Sequence, residues 1–259
     1  MDHFRRYVAL GDSFTEGVGD VDTARPNEVR GWADRVAEAM AADAHQRGED
    51  FGYANLAIRG RKMGQILAEQ IEPAIALQPD LVSLYAGVND ILRPRVDIDA
   101  MIADYRPAVE RLRAAGINVG LFTAFDPGKA GIFAALRGRL AIYNEHIRQI
   151  AEETGCILLD SWRMRPERPD TMWSPDRIHL NTVGHQYVAI NVLNTLGVPH
   201  DLVELEPEPV PELSRSQKRA ANLRWMREDA VPWVQRRLTG RSSGDALDPR
   251  FATYVPTPG

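Results

Sequence analysis

The sequence has 259 residues, 44% of them hydrophobic and 26% charged, which is typical of a globular protein with a sizeable buried core. Its net charge of -5 disfavours a general nucleic-acid or anionic-membrane binder, because such proteins carry a basic surplus. Cys156 is the only cysteine, which excludes an intrachain disulfide and a cysteine-based zinc site.

The first residues of the chain lead directly into a predicted strand. They lack the apolar segment and the small-residue cleavage site of a signal peptide. No run in the sequence approaches the roughly 18 apolar residues that a membrane span needs. Together with the lone cysteine, these features predict a cytoplasmic protein without stable membrane insertion.

Short apolar runs then alternate with longer segments of helical periodicity. The predicted strands are residues 6–10, 53–58, 79–87, 117–124 and 156–160. The predicted helices are residues 31–45, 62–77, 98–115, 132–154 and 183–196. Because helical crossovers between strands give parallel pairing, we expect a flavodoxin-like α/β fold, a three-layer α/β/α sandwich around a parallel five-stranded sheet.

The composition changes near residue 200. Residues 200–213 are acidic and rich in proline, which predicts an extended linker between a main domain, residues 1–199, and a C-terminal extension, residues 214–259. The extension starts with a basic segment of helical character over 214–229, and its last part shows no periodicity. We therefore expect a basic helix followed by an irregular tail. Its apolar side chains favour packing against the main domain or a second copy of the chain over nucleic-acid or membrane contact.

Residues with catalytic potential follow the predicted strands. Ser13 follows the first strand, Gly60 the second and Asn89 the third. Asp176 and His179 lie between the fifth strand and the last helix. The carboxyl ends of parallel strands meet at one edge of a sheet, so these residues should converge although they are far apart in sequence. A nucleophile, a base and donors for an oxyanion need such an arrangement.

The sequence around these residues resembles one hydrolase family. GDSFTEG at 11–17, a lone Gly60, GVND at 87–90 and DRIH at 176–179 resemble the four sequence blocks of the GDSL, or SGNH, hydrolases. That family is named for its Ser, Gly, Asn and His, and the blocks here keep its order over residues 5–195. The resemblance implies a metal-independent serine esterase that needs no cofactor and hydrolyses carboxylic esters through an acyl-enzyme.

The resemblance also implies a role for each block. Ser13 would be the nucleophile, His179 would take its proton and return it to the leaving alcohol, and Asp176 would orient the imidazole. The oxyanion hole would consist of the backbone amides of Ser13 and Gly60 and the side-chain amide of Asn89. One such donor typically contributes roughly 2.7–4 kcal/mol to transition-state binding.

Each of these residues also has a purely structural interpretation. A serine at this point is commonly a turn or cap residue, Gly60 is suited to a positive φ angle, and Asn89 is suited to capping a helix.

Other catalytic and metal-binding motifs do not fit the spacing of these residues. The serine lacks the second glycine of G-x-S-x-G, and Asp176 and His179 have no convincing third metal ligand nearby. His185, at the start of the last helix, is interpreted as solvent-facing or as a cap.

Two further side chains are candidates for substrate binding. Trp173, just before the acid–base block, is suited to stacking on a sugar or aryl group, and Arg163 to meeting an anionic substrate. The commoner interpretation is a packed indole and a solvated charged loop. Members of the resembled family act on lipid, thioester, aryl and carbohydrate acetyl esters, and the lack of a long apolar insertion favours a short acyl group here.

Two other functions stay open at this point. An acyltransferase would use the same triad but pass the acyl group to an alcohol, and a catalytically silent binding protein would keep only the fold. Intact Ser13, Asp176 and His179 favour catalysis. The expected partner is a small-molecule ester, with no nucleic acid, and the C-terminal extension offers a surface for a homo-oligomer.

Overall fold

The computed structural model describes residues 3–93, 95–129, 133–207, 214–232, 235 and 242–256. Its strands are β1 (Arg6–Leu10), β2 (Gly52–Asn55), β3 (Leu81–Leu84), β4 (Asn118–Phe122), β5 (Ile157–Leu159) and β6 (Phe251–Val255). Its α-helices are α1 (Ser13–Glu16), α2 (Trp32–Gln46), α3 (Met63–Ala76), α4 (Val88–Ile91), α5 (Ile98–Ala114), α6 (Arg137–Thr154), α7 (Thr182–Leu196) and α8 (Arg215–Trp225). Every strand and long helix that the sequence predicts up to residue 196 is present.

The sheet has the strand order β5-β4-β3-β1-β2-β6, and β1 to β5 pair in parallel. Helices α3, α5 and α6 share one apolar core with the sheet, and α2 and α7 share the other. The predicted three-layer sandwich is therefore confirmed. The strand order reverses between β1 and β3, and ligands of open parallel sheets bind outside the carboxyl ends of the strands at such a point.

A sixth strand comes from the tail that shows no periodicity in the sequence. β6 pairs antiparallel with β2, with Tyr53 opposite Val255 and Asn55 opposite Phe251. The expectation of five strands and an irregular tail is corrected here. β6 is only partly buried along its length, so it lacks the alternation that marks a strand in sequence. Its pairing covers the edge of β2 that five strands would leave open.

Arg250 fixes the chain immediately before β6. Its side chain is 0% exposed and forms an ion pair with buried Asp34 at 2.7 Å. The same guanidinium donates to the carbonyl oxygens of Glu16, Pro26 and Val29. Such a buried charge is tolerated because it is paired and hydrogen-bonded. The end of the chain is thereby attached to the main domain.

The remainder of the C-terminal extension is partly described. Ser214 caps α8 by accepting a hydrogen bond from the backbone N–H of Gln217, and a π-helical turn, Met226–Ala230, continues the helix. The basic helix that the sequence predicts over 214–229 is thus present. Of the predicted linker, residues 200–207 contain no helix or strand, and residues 208–213 lie outside the described residues.

Candidate active site

β1 brings Ser13 to the edge of the sheet. Gly11 follows the strand at a φ of +152°, and a Cβ added there would lie 2.7 Å from the carbonyl oxygen of Tyr85, so only glycine fits this close approach. α1 begins at Ser13, and the Asp12 side chain caps it by accepting from the backbone N–H of Phe14 at 3.0 Å. Half-buried Ser13 therefore stands at the carboxyl end of a central strand.

β3 brings Asn89 to the same edge. Gly87, at a φ of 100°, turns the chain from the strand into α4. Asn89 Nδ2 donates to Oδ2 of Asp12 at 2.9 Å and to the carbonyl oxygen of Arg61 at 3.1 Å, which joins the ends of β1, β2 and β3. Because both amide hydrogens bind the protein, a hydrogen bond from Asn89 to an oxyanion requires one of these partners to be exchanged.

β2 leads into the loop of Gly60. Gly60 has a φ of +77°, and an added Cβ would overlap the hydroxyl oxygen of Ser242, so the structural requirement for glycine is real. Arg59 is bound by buried Glu16 of α1. The backbone N–H of Arg59 donates to Oε2 at 2.6 Å, and its guanidinium donates to Oε1 at 2.7 Å. This ion pair ties the glycine loop to the helix that begins with Ser13.

The backbone amides of Ser13 and Gly60 both lie at this edge. Among the residues that the structure describes, none accepts a hydrogen bond from the backbone N–H of Ser13 or of Gly60. Backbone amides in folded proteins are usually paired with protein or water. Two N–H groups that lack an acceptor among the described residues, at neighbouring strand ends, are suited to binding a negatively charged oxygen.

Asp176 and His179 form a tightly bonded turn before α7. Oδ2 of Asp176 lies 2.6 Å from Nδ1 of His179. Its other oxygen, Oδ1, accepts from the backbone N–H groups of Ile178 and His179 at 2.9 and 3.0 Å and from the hydroxyl of Ser174 at 2.8 Å. Burial raises the pKa of the Asp176 carboxyl, but these hydrogen bonds outweigh it and hold the pKa well below its usual value. The carboxylate thus orients the imidazole and remains ionised.

The segment after α1 packs against the turn of His179. A Cβ added to Gly19 would lie 3.0 Å from the Cβ of His179. No hydrogen bond joins the Ser13 hydroxyl to the His179 ring within the described part of the chain. Catalytic hydrogen bonds of this kind often tighten only when the substrate is bound. The structure therefore brings the two predicted residues to one edge without joining them directly.

Asp12 has an unusual electrostatic position beside the candidate nucleophile. Burial raises the pKa of its carboxyl to about 7, although the hydrogen bond from Phe14 and the charge of His179 act to lower it. The Asp12 carboxyl group caps α1, which begins at Ser13, and accepts a hydrogen bond from Asn89. It therefore holds the Ser13 side and the Asn89 side of the candidate oxyanion hole together.

His185 is buried, which corrects the expectation that it faces solvent, and its capping contact is made to the first residue of α2. Nδ1 accepts from the backbone N–H of Trp32 at 3.1 Å, and Nε2 lies 3.3 Å from the carbonyl oxygen of Val18. Burial lowers the pKa of His185 to about 3. The first turn of α7 is covered by α2 and the loop after α1, so its exposure could not be inferred from α7 alone. His185 holds these segments together beside the site.

The two candidate substrate-binding residues differ in position. The indole of Trp173 is 36% exposed, and its ring centroid lies 6.1 Å from that of Phe125. Phe125 in turn contacts Phe14, next to the candidate nucleophile, with ring centroids 5.6 Å apart. The side chain of Arg163 is 74% exposed and lies 3.4 Å from Asp160. Aromatic contacts connect Trp173 with the site, whereas the contact of Arg163 is a surface ion pair.

The described residues contain neither a metal-ligand cluster nor a membrane-spanning helix. Within those ranges, no group of three His, Cys, Asp or Glu side chains is arranged to hold a metal ion. The described helices include none with the length and apolar character needed to cross a bilayer.

Sequence reasoning missed the residues that brace the site from a distance. Glu16 and Arg59 are 43 positions apart, and no local pattern links them. Trp225 and Ser242 of the C-terminal extension donate hydrogen bonds to the carbonyl oxygens of Asp176 and Arg59. The sequence indicates these contacts only through the apolar side chains of the extension. Those side chains favour packing against another surface but do not identify the residues that are contacted.

Several known proteins are similar to this chain over most of its length. Residues 9–187 match the model of the GDSL-like Lipase/Acylhydrolase family. An acetylxylan esterase of Geobacillus stearothermophilus is 27% identical over 219 residues, which are 74% of this chain and 94% of the relative. The crystal structure of an acetylxylan esterase from the same organism has a TM-score of 0.63 at 23% identity and covers 75% of this chain and 95% of that protein. The acetyl xylan esterase AlAXEase has a TM-score of 0.58 at 22% identity, with 73% and 98% covered.

Proposed function

This chain belongs to the GDSL-like lipase/acylhydrolase family and is a carboxylic ester hydrolase, and from that premise we propose that Ser13 attacks short-acyl esters to form an acyl-enzyme. The observation that carries the proposal is the 2.6 Å hydrogen bond from Nδ1 of His179 to Oδ2 of Asp176, in a turn that packs beside the segment after Ser13. A carboxylate-bound imidazole at the end of the sheet is what a serine nucleophile needs as its base.

In acylation, Oγ of Ser13 attacks the ester carbonyl carbon while Nε2 of His179 takes the hydroxyl proton. The carbonyl oxygen gains the negative charge, and the N–H groups of Ser13 and Gly60 donate to it. The tetrahedral adduct then breaks its bond to the alcohol oxygen, which receives the proton from His179. Asp176 stays ionised throughout and stabilises the imidazolium.

In deacylation, water takes the place of the alcohol. His179 removes a proton from water, the hydroxide oxygen bonds to the acyl carbon, and the same donors bind the oxyanion. Collapse returns the proton to Oγ of Ser13 and releases the carboxylic acid. The reaction therefore needs only the ester and water.

The proposed substrate class is an acetyl ester of a carbohydrate. The relatives reported above are acetylxylan esterases by name, which supports an acetyl group as the acyl part. The partly exposed indole of Trp173 at the aromatic rim supports a sugar as the alcohol part, because an amphipathic ring can pack against a sugar while its edge stays in water.

The test is a panel of p-nitrophenyl esters of increasing acyl length with the wild type, Ser13→Ala and the control Ser216→Ala, which lies on the exposed side of α8. We expect acetate to be the preferred acyl group. Ser13→Ala should lower turnover by on the order of 10⁴–10⁶, and Ser216→Ala should leave it unchanged. Wild-type turnover in Ser13→Ala would contradict the nucleophile, and a preference for the longest ester would contradict the acyl class.

A further inference from the structure

The C-terminal extension contacts the candidate active site at the turn of His179. The indole Nε1–H of Trp225, at the end of α8, donates to the carbonyl oxygen of Asp176 at 2.8 Å. The guanidinium of Arg177 lies 4.8 Å from the centre of the Trp225 ring and donates to Oδ1 of Asn222 at 2.9 Å. Three contacts thus join α8 to the two residues at the start of the turn.

The backbone at this point needs outside support. Arg177 has a φ of 61°, in the left-handed region that a side chain such as arginine seldom adopts. This conformation directs the next two backbone N–H groups to Oδ1 of Asp176. The bond from Trp225 is made to the peptide carbonyl immediately before Arg177. Trp225 therefore fixes the peptide bond between Asp176 and Arg177. The position of this peptide determines how the Asp176 carboxylate and the His179 ring are oriented.

The extension makes a second contact at the opposite side of the site. The hydroxyl of Ser242 donates to the carbonyl oxygen of Arg59 at 3.1 Å, and Ser242 fills the space where a Cβ of Gly60 would lie. A Cβ added to Gly244 would overlap the same carbonyl of Arg59. Asp245 lies 3.6 Å from the guanidinium of Arg61. The turn 242–245 therefore packs along the loop that holds the amide of Gly60.

These contacts are anchored and lie beyond the family match. The matched region ends at residue 187, so both Trp225 and Ser242 fall outside it. The buried Arg250–Asp34 pair and the pairing of β6 with β2 attach the extension to the main domain. Ser242 is described continuously with this anchored strand, whereas α8 is held by its own hydrogen bonds to the turn of His179.

We propose, on the basis of the serine esterase function proposed above, that Trp225 and Ser242 are positioning residues for the reaction. Trp225 holds the Asp176–His179 turn so that the imidazole faces the nucleophile. Ser242 holds the Arg59–Gly60 peptide so that its N–H faces the oxyanion. Through these two residues, the C-terminal extension supports the active site from outside the family match.

The first test separates the indole N–H from the indole ring. Trp225→Phe removes the donor but keeps an aromatic ring for Arg177, so α8 should stay packed. On p-nitrophenyl acetate we expect kcat to fall about 10-fold with KM unchanged, because the alignment of His179 changes and the ester-binding surface does not. The matched control is Trp162→Phe, whose ring contacts Arg137 instead of the turn, and it should keep the wild-type kcat. A wild-type kcat in Trp225→Phe would overturn the role of Trp225.

The second test asks whether Trp225 acts through Asp176. In an Asp176→Asn background, Trp225→Phe should cause little further loss of kcat, because the group that it positions is already impaired. An undiminished 10-fold loss in that background would mean that Trp225 stabilises the protein in general, and it would overturn the proposal. Thermal unfolding of all four proteins checks that each is folded.

The third test concerns Ser242 and the dependence on the proposed function. Ser242→Ala removes one hydroxyl and should lower kcat about 10-fold with KM unchanged, while Ser216→Ala should not. An unchanged kcat would overturn the role of Ser242. Ser13→Ala is measured in parallel. If Ser13→Ala keeps full activity, the proposed function is wrong. If Ser13→Ala is inactive while Trp225→Phe and Ser242→Ala keep the wild-type kcat, only the positioning role is contradicted.

Discussion

The two sides of the active site are held in different ways. On the serine side, the side chain of Gln70 exchanges two hydrogen bonds with the backbone of Gly11, at 2.8 and 2.9 Å, and buried Glu16 binds Arg59. On the histidine side, a partly exposed loop is held by the carboxylate of Asp176 and by contacts from α8. The first set of contacts belongs to the core of the sheet, whereas the second lies at the surface.

This difference separates two tasks of an ester hydrolase. The donors that bind the oxyanion must be fixed before the reaction begins, because dipoles that reorganise during the reaction stabilise its transition state less. The imidazole has to exchange protons with two different oxygen atoms, which suits a loop. Breaking the serine side should therefore reduce stability together with activity, and breaking the histidine side should mainly reduce activity.

Asp176→Asn should show the largest effect on activity. The amide keeps an oxygen for the backbone N–H groups of Ile178 and His179 but replaces the charged partner of Nδ1 with a neutral one. We expect kcat to fall by on the order of 10⁴, as for the loss of the carboxylate in other triads. The melting temperature should fall modestly, because the lowered pKa of Asp176 means that its ionised carboxylate stabilises the folded state. A steady-state kcat within about tenfold of the wild-type value would contradict the role of Asp176.

Arg59→Ala should show the largest effect on stability. Removing the guanidinium leaves the carboxylate of Glu16, whose side chain is 0% exposed, without its ionic partner. Breaking a buried pair in this way typically costs about 3–5 kcal/mol in the free energy of unfolding. Urea unfolding measures it, with Arg47→Ala in a surface ion-pair cluster as the control that should show no comparable loss. Equal stabilities for the two variants would show that the serine side is not braced by this pair.

Asn89→Ala distinguishes a catalytic donor from a structural bridge. If Asn89 exchanges one of its protein partners for the oxyanion, its loss should lower kcat by about 10²–10³ with little change in KM. A purely structural bridge between Asp12 and Arg61 would instead show itself as a loss of stability with nearly normal kcat. Kinetics and thermal unfolding on the same samples separate these results, and the second result would contradict Asn89 as part of the oxyanion hole.

Asp12→Asn should change the pH dependence of stability. Burial raises the pKa of Asp12 to about 7 in the folded protein, against about 3.9 in an unfolded chain. Between about pH 4 and 7 the folded state therefore binds more protons than the unfolded state, so Asp12 makes the free energy of unfolding fall as pH rises. Asp176, whose pKa is lowered, contributes the opposite slope below about pH 4.

The measurement for Asp12 is urea unfolding at several pH values across that window. The difference between wild type and Asp12→Asn should shift in favour of the variant as pH rises from about 4 to 7, because the variant has no carboxyl to titrate. A constant difference would contradict the raised pKa of Asp12.

The parts of the site that the sequence predicts are those that follow strands. The helical crossovers predict parallel strands, and parallel strands bring Ser13, Gly60 and Asn89 to one edge. Contacts between segments that are distant in the sequence produce no pattern from which they could be predicted. The buried pair of Glu16 and Arg59 depends on tertiary packing, as does the burial of His185. β6 is short and partly exposed, so it has no strand periodicity to detect.

Mass spectrometry of the enzyme during turnover detects the acyl group that we propose on Ser13. Wild type, Ser13→Ala and His179→Ala are mixed with p-nitrophenyl acetate, quenched in acid and digested. We predict one acetyl group on the peptide that contains Ser13 in the wild type, and none in Ser13→Ala or His179→Ala. An acetyl group on another residue of an active enzyme, or rapid turnover in the Ser13→Ala variant, would contradict the account.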